Sequence, residues 1–267
     1  MSRQLRVLGC QGSYPTLGHP CSGYLLTWDS FNVVVDLGYS TIEPLLSLRP
    51  KGDVDAIIIT HEHPDHCIDL HALFRLHYYG RLTSKEKQPR KIPLVCTPGV
   101  IDKMHMLEPT VDLKEIFEIQ FLADKSIHTL GPLKVTGFGL HHHVPDVGIR
   151  LDVLPSSTAT GGTPTPLLAF TGDTGPVPQL QDLARDIPFF LCEATDKPGE
   201  SERSLETRHL MGSGEAGQWA TKANAKRLML THFWPGNDRQ VAVNNARAEF
   251  KGEIMAAEPG KVVSLQF

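Results

Sequence analysis

The chain has 267 residues, 40% of them hydrophobic, and a formal net charge of −4. That length suits one large domain or two small ones, and a single domain over residues 1–267 is the expectation. The charge argues against a general nucleic-acid surface, and no apolar run is long enough to cross a bilayer. Residues 1–6 lead straight into a strand pattern with no secretory h-region, so a cytoplasmic protein is expected. The cysteines at 10, 21, 67, 96 and 192 are too few and too scattered for a disulfide framework. Their odd number fits a reducing compartment.

Short β-branched and apolar runs predict strands over 6–9, 24–27, 33–36, 56–60, 94–96, 134–140, 147–151, 167–171, 189–193, 227–231 and 262–265. Helical patterns cover 68–78, 176–184, 214–223 and 239–250. Strands with helices between them predict an α/β fold of two sheets flanked by helices. Three stretches read as loops: 81–91, 155–166 and 197–207. The first carries Arg81, Lys85, Lys87, Arg90 and Lys91, a cluster that reads as a solvated loop. The second holds a Ser/Thr/Gly/Pro run that reads as a hairpin connection.

The most informative stretch is His61-Glu62-His63-Pro64-Asp65-His66. It follows the strand-like run 54–60, so potential metal ligands stand on a rigid support. His61 and His63 can converge while the backbone is extended. Pro64 suits the turn that follows. Asp65 and His66 can serve a second ion or a water. Imidazole and carboxylate suit zinc, and less selectively manganese or iron. Cys67 reads as a small buried apolar residue, not a ligand. Three further strand-like runs also close on His or Asp: at His141-His142-His143, at Asp173 and at His232. Four such ends argue for strands that meet at one metal centre. Alternation along a strand sets His142 apart from His141 and His143 without choosing among them. Gly9-Cys10-Gln11-Gly12 lacks a dinucleotide fingerprint and reads as a tight turn. The histidines at 19, 71, 77, 105 and 128 read as structural or exposed.

This order of motifs resembles the metallo-β-lactamase fold superfamily. The matching residues are the HxHxDH run at 61–66, a later His, Gly172-Asp173 and Thr231-His232. The likeness extends to residues 9–13 and 21–26 and so spans nearly the whole chain. Cys192-Glu193-Ala194-Thr195 and Arg208-His209-Leu210 make it most similar to the tRNase Z-like phosphodiesterase branch. The resemblance implies a metallo-β-lactamase-like αββα sandwich with two divalent metal ions, zinc first and manganese second. One ion would take His61, His63 and the later His. The other would take Asp65, His66 and His232, with Asp173 between them. In relatives the later His lies six residues before a Gly opening an Arg-containing strand. Gly148 precedes Ile149-Arg150, so the resemblance selects His142. Two such ions about 3.5–4 Å apart can activate water for in-line attack. Asp65 would orient that water or accept its proton. Glu193 would orient His209 as proton donor to the leaving oxygen.

Only thirty residues separate His142 from Asp173. The resemblance places a long tRNA-gripping arm there in tRNase Z proper, and this interval has no room for one. The implied substrate is therefore a small or cyclic nucleotide, a 3′,5′-cyclic nucleotide opened to a monophosphate. A tRNA or RNA 3′-processing nuclease is the alternative, followed by a hydrolase of a non-phosphate ester or thioester. A homodimer is expected by analogy alone.

Overall fold

The computed structural model describes residues 2–83, 90–155 and 162–266. Lys85, Lys87 and residues 156–161 of the expected loops lie outside them. The first strands are β1 (Ser2–Gly9), β2 (Gly23–Asp29), β3 (Phe31–Leu37), β4 (Ala56–Ile59), β5 (Ile92–Cys96), β6 (Phe117–Phe121) and β7 (Ile127–Leu130). The later ones are β8 (Leu133–Leu140), β9 (Asp146–Val153), β10 (Thr165–Phe170), β11 (Phe189–Glu193), β12 (Arg227–Thr231), β13 (Glu253–Ala256) and β14 (Val262–Ser264). Helices are α1 (Ile42–Leu48), α2 (Pro64–Cys67), α3 (Asp69–Thr83), α4 (Pro98–Leu107), α5 (Gln179–Leu183), α6 (Ser213–Lys222) and α7 (Arg239–Glu249).

The chain divides into two compact units. The first takes the residues up to Gly9, then Tyr14–Leu122 and Pro259–Gln266; the second takes Cys10–Ser13 and Ala123–Glu258. The first unit holds the sheet β14-β1-β2-β3-β4-β5-β6. Its first three pairings are antiparallel and the three from β3 onward are parallel. The second unit holds β13-β12-β11-β10-β9-β8-β7. It repeats the plan: three antiparallel pairings from β7 to β10, then three parallel ones to β13. The sequence shows no such repeat, because pairing order leaves no mark on residue identity.

Parallel strands are buried and therefore read as continuous apolar runs. Ala56 to Ile59 of β4 are all buried. Ile57 and Ile59 belong to a core with Leu70, Leu73 and Phe74 of α3 and with Val100 and Met104 of α4. Fully burying each such large side chain contributes about 1.5–3 kcal/mol. In the second unit β11 is buried throughout, as Phe189, Phe190, Leu191, Cys192 and Glu193. Parallel β/α sheets place ligand groups beyond the carboxyl ends of their strands. Those ends line up here. Val35 pairs with Ile58, which brings Asp36 of β3 level with the end of β4. Glu193 pairs with Thr231, which brings the ends of β11 and β12 together.

All eleven expected strands and all four expected helices are present; β11 and β12 match their expected bounds and the others have shifted ends. The strands that escaped the sequence reading are β6, β7 and β13. Each stands at or beside the edge of a sheet and carries exposed positions, which weakens the apolar signal. Three short helices, α1, α2 and α4, escaped as well. In α4 the opening Pro98-Gly99 disguises the helical period. β9 and β10 pair as far out as Val153 with Thr165, so the hairpin reading of the connection between them holds at its base.

Candidate metal centre

In the first unit the candidate ligand residues follow β4 and run into α2. His63 is the N-cap, with an extended backbone at φ −64° and ψ 139°, and Pro64 is the first helical residue. Asp65 and His66 therefore ride on one turn of helix. The His61 ring centroid lies 4.9 Å from that of His63 and 4.2 Å from that of His66. His66 Nδ1 lies 2.7 Å from Oδ2 of Asp36, which is completely buried. His61 Nδ1 lies 3.1 Å from the Thr60 hydroxyl, which also lies 3.2 Å from each Asp36 oxygen. The network thus makes Nδ1 the N–H of both rings and presents Nε2 as the basic nitrogen. Burial raises the Asp36 carboxyl above its ordinary value, while His66 and Thr60 pull it back.

Two glycines make room for this loop. A Cβ on Gly38 would fall 1.8 Å from the Asp65 carbonyl oxygen. A Cβ on Gly99 would fall 2.4 Å from Glu62 Oε2, so the Glu62 carboxylate rests against the first turn of α4. A carboxylate is favoured at that end of a helix.

In the second unit Asp173 follows β10 after Gly172, whose φ is +61°. Its Oδ1 lies 3.3 Å from His232 Nε2, and its Oδ2 lies 3.7 Å from His142 Nε2. One carboxylate therefore turns each of its oxygens to a different imidazole. His142 Nδ1 donates to the His209 carbonyl at 2.8 Å. His232 Nδ1 lies 2.9 Å from the Thr195 hydroxyl, which donates to Glu193 Oε2 at 2.5 Å. Here again Nδ1 is the bonded nitrogen and Nε2 is presented. The Asp173 N–H faces Asp146 Oδ1 at 3.4 Å. Gly12 lies against His232, and a Cβ there would fall 2.7 Å from its Cε1 atom. The turn at residues 9–12 thus makes room for the His232 ring by having no side chain at Gly12.

The two units share a device. A buried carboxylate holds a threonine hydroxyl, and the threonine holds a histidine Nδ1. It is Asp36–Thr60–His61 in the first unit and Glu193–Thr195–His232 in the second. Such partners fix the tautomer and orientation of a ligating imidazole.

The expected Glu193–His209 pair is corrected. Glu193 accepts bonds from the Thr174 N–H, the Thr195 hydroxyl and the Met211 N–H. It is fully buried, and none of its bonds goes to His209. Burial, and after it the charge of Asp173, pushes its carboxyl well above the usual range against these donors. It is Glu200, from the charged 197–207 segment, that meets His209, accepting its backbone N–H at 3.0 Å. The His209 ring lies beside His143 and His141, at centroid distances of 3.9 and 4.7 Å. Burial first, then those two rings, holds its imidazole below the ordinary value, with Glu200 pulling the other way. Cys67 is buried, as read from the sequence, and its thiol is pushed up to about 12 by burial. His71 and His77 lie on α3, where they bond Glu108 and the Gly52 carbonyl.

Sequence reading missed Asp36, Thr60, Thr195 and Asp146. For Asp36 a signal existed: it is the one charge in the apolar strand Phe31–Leu37. The threonines gave none, because a hydroxyl's partner depends on strand register.

The donor set fits divalent metals. Among the described residues the first unit offers His61, His63, Asp65 and His66, and the second offers His142, Asp173 and His232. Four of the five imidazoles present Nε2 with Nδ1 anchored on an oxygen. Neutral imidazole and carboxylate suit zinc and manganese, and no thiolate takes part.

Comparison with known proteins agrees. The model of the β-lactamase superfamily domain matches residues 31–233. The uncharacterised protein Rv1339 of Mycobacterium tuberculosis is 32% identical, over 96% of this chain and 90% of that protein. The metallo-β-lactamase fold protein YhfI of Bacillus subtilis superposes with a TM-score of 0.80 at 22% identity, over 98% of this chain and 99% of its own. The short form of human tRNase Z gives 0.72 at 21% identity, over 99% of this chain and all of its own. The chain belongs to the β-lactamase superfamily, as a metal-dependent hydrolase of the metallo-β-lactamase fold.

Proposed function

We propose that the protein is a phosphodiesterase acting on a small or cyclic nucleotide through a dinuclear metal centre. The observation that carries the reading is Asp173, whose two oxygens address His232 and His142 separately. A carboxylate so placed can serve two ions and offset their repulsion. His61, His63 and His142 would hold one ion; Asp65, His66 and His232 would hold the other. Bound there, two divalent cations supply an activated water and offset the charge of the phosphoryl oxygens. Asp65 would orient that water or take its proton. His209, whose carbonyl accepts from the His142 ring, is the proposed donor to the leaving oxygen. Glu193 acts on His232 through Thr195.

Substrate size is argued from the short span between His142 and Asp173 and from the net charge of −4. RNA binding leans on Lys and Arg to neutralise phosphates. The expected reaction is opening of a 3′,5′-cyclic nucleotide to its monophosphate. The likeness to tRNase Z keeps 3′ processing of RNA as the competing reading, and ester or thioester hydrolysis stands behind it. The test is a panel of cyclic nucleotides, linear dinucleotides and precursor tRNA with zinc or manganese. Faster cleavage of precursor tRNA than of any cyclic nucleotide overturns the substrate reading. His209→Ala should slow the natural substrate by about 10²–10⁴-fold. It should slow a nitrophenyl phosphodiester less, because that leaving group needs no proton. Equal losses on both substrates would remove His209 from the donor role.

A further inference from the structure

The mechanism uses His142 but not its neighbours. His143 lies against the His209 ring at a centroid distance of 3.9 Å and an interplanar angle of 41°. His141 stacks on the same ring at 4.7 Å and 27°. Among the described residues the buried Nδ1 of His209 has no hydrogen-bond partner, so no bond at that nitrogen sets the orientation of the ring. Its backbone is fixed, by Glu200 on the N–H and by His142 on the carbonyl. His141 is fixed too. Its Nε2 meets the Glu206 carbonyl at 3.2 Å, and its own carbonyl accepts the Gly175 N–H at 2.9 Å. A Cβ on Gly175 would fall 2.1 Å from the Arg208 carbonyl oxygen, so the segment before His209 packs directly on this strand end.

We propose that His141 and His143 are positioning residues that clamp the His209 ring by aromatic stacking. The triplet then divides its work: the middle imidazole faces Asp173 and the outer two hold the proton donor. The inference rests on the proton-donor reading of His209 for its kinetic consequence, and on ring geometry alone for its structural one. What the clamp needs is an aromatic face, not an imidazole nitrogen.

The test compares His141→Ala, His143→Ala, His141→Phe and His143→Phe in the full-length protein loaded with zinc. Histidine ring signals are followed by NMR, with the His209 signal assigned through His209→Gln. The alanine variants should shift the His209 signal and slow hydrolysis of a cyclic nucleotide by about 3- to 10-fold, the scale of a lost aromatic pair. Metal content should not change. The phenylalanine variants should restore both the signal and the rate. An unmoved His209 signal in both alanine variants overturns the clamp. So does a phenylalanine variant as impaired as its alanine counterpart, which would assign the imidazole nitrogen a direct role. If the wild type hydrolyses no phosphodiester while the NMR pattern holds, the clamp stands and the proposed function fails.

Discussion

Thr195→Val isolates the link between Glu193 and His232. Valine keeps the shape of threonine and removes only the hydroxyl. That hydroxyl lies 2.9 Å from His232 Nδ1 and 2.5 Å from Glu193 Oε2, and all three residues are buried. Removing it strands an imidazole N–H and one carboxylate lone pair, at about 1–3 kcal/mol for each buried group left unpaired. Glu193 keeps its bonds from the Thr174 and Met211 N–H groups, so the larger loss falls on His232. Losing a partner behind a metal ligand typically weakens the metal by about 10–100-fold. At 1.36 kcal/mol per factor of ten, that is about 1.4–2.7 kcal/mol. The assay is zinc affinity by competition with a chelating dye, beside urea unfolding of the metal-free protein. Thr195→Val should lose affinity and stability, whereas Thr195→Ser should stay near wild type on both. Unchanged zinc affinity in Thr195→Val would refute the relay.

Other predictions follow from the same geometry. Gly99→Ala should push Glu62 off the first turn of α4 and weaken metal retention at His61 and His63, read by metal analysis after dialysis; full retention would show that the contact is incidental. His142→Ala should lower metal content far more than His141→Ala or His143→Ala, and equal losses would count against His142 as the ligand. Burial raises the thiols of Cys67 and Cys96 to about 12 and that of Cys192 well above its ordinary value, so each is a protonated thiol at neutral pH. A thiol reagent at pH 8 should label none of the five buried cysteines in the native protein and all five in urea; rapid native labelling would contradict that burial. The Glu108 carboxyl is lowered first by the His71 bond and then by Arg75, so its stabilising effect is present above the ordinary carboxylate range and fades as pH falls through its lowered value. Glu108→Gln should therefore cost stability at pH 7 and little at pH 3, measured by urea midpoints.

Much of the site was legible because its residues stand where apolar runs stop. A run such as Ala56 to Ile59 announces a buried strand, and a histidine directly after it announces a site. The same logic found Asp173 and His232. What stayed hidden depended on register. Asp36 reaches Thr60 because β3 and β4 pair in parallel, and Thr195 reaches His232 because β11 and β12 do. The Glu193–His209 pairing failed for a related reason. Sequence order sets the two residues in neighbouring segments, but Glu193 points into the strand ends, while Glu200 from the intervening segment reaches the His209 backbone. Edge strands such as β6 and β7 were missed because two residues of each are exposed.

The proposed function is hydrolysis of a small phosphodiester at a dinuclear metal centre. The most direct measurement titrates metal-free protein with zinc while following both bound metal and hydrolysis of a 3′,5′-cyclic nucleotide. Two ions per chain are expected, with activity that requires them and loss of both metal and activity in Asp173→Ala. Two ions retained by Asp173→Ala, or undiminished hydrolysis by the chelated wild type, would contradict it.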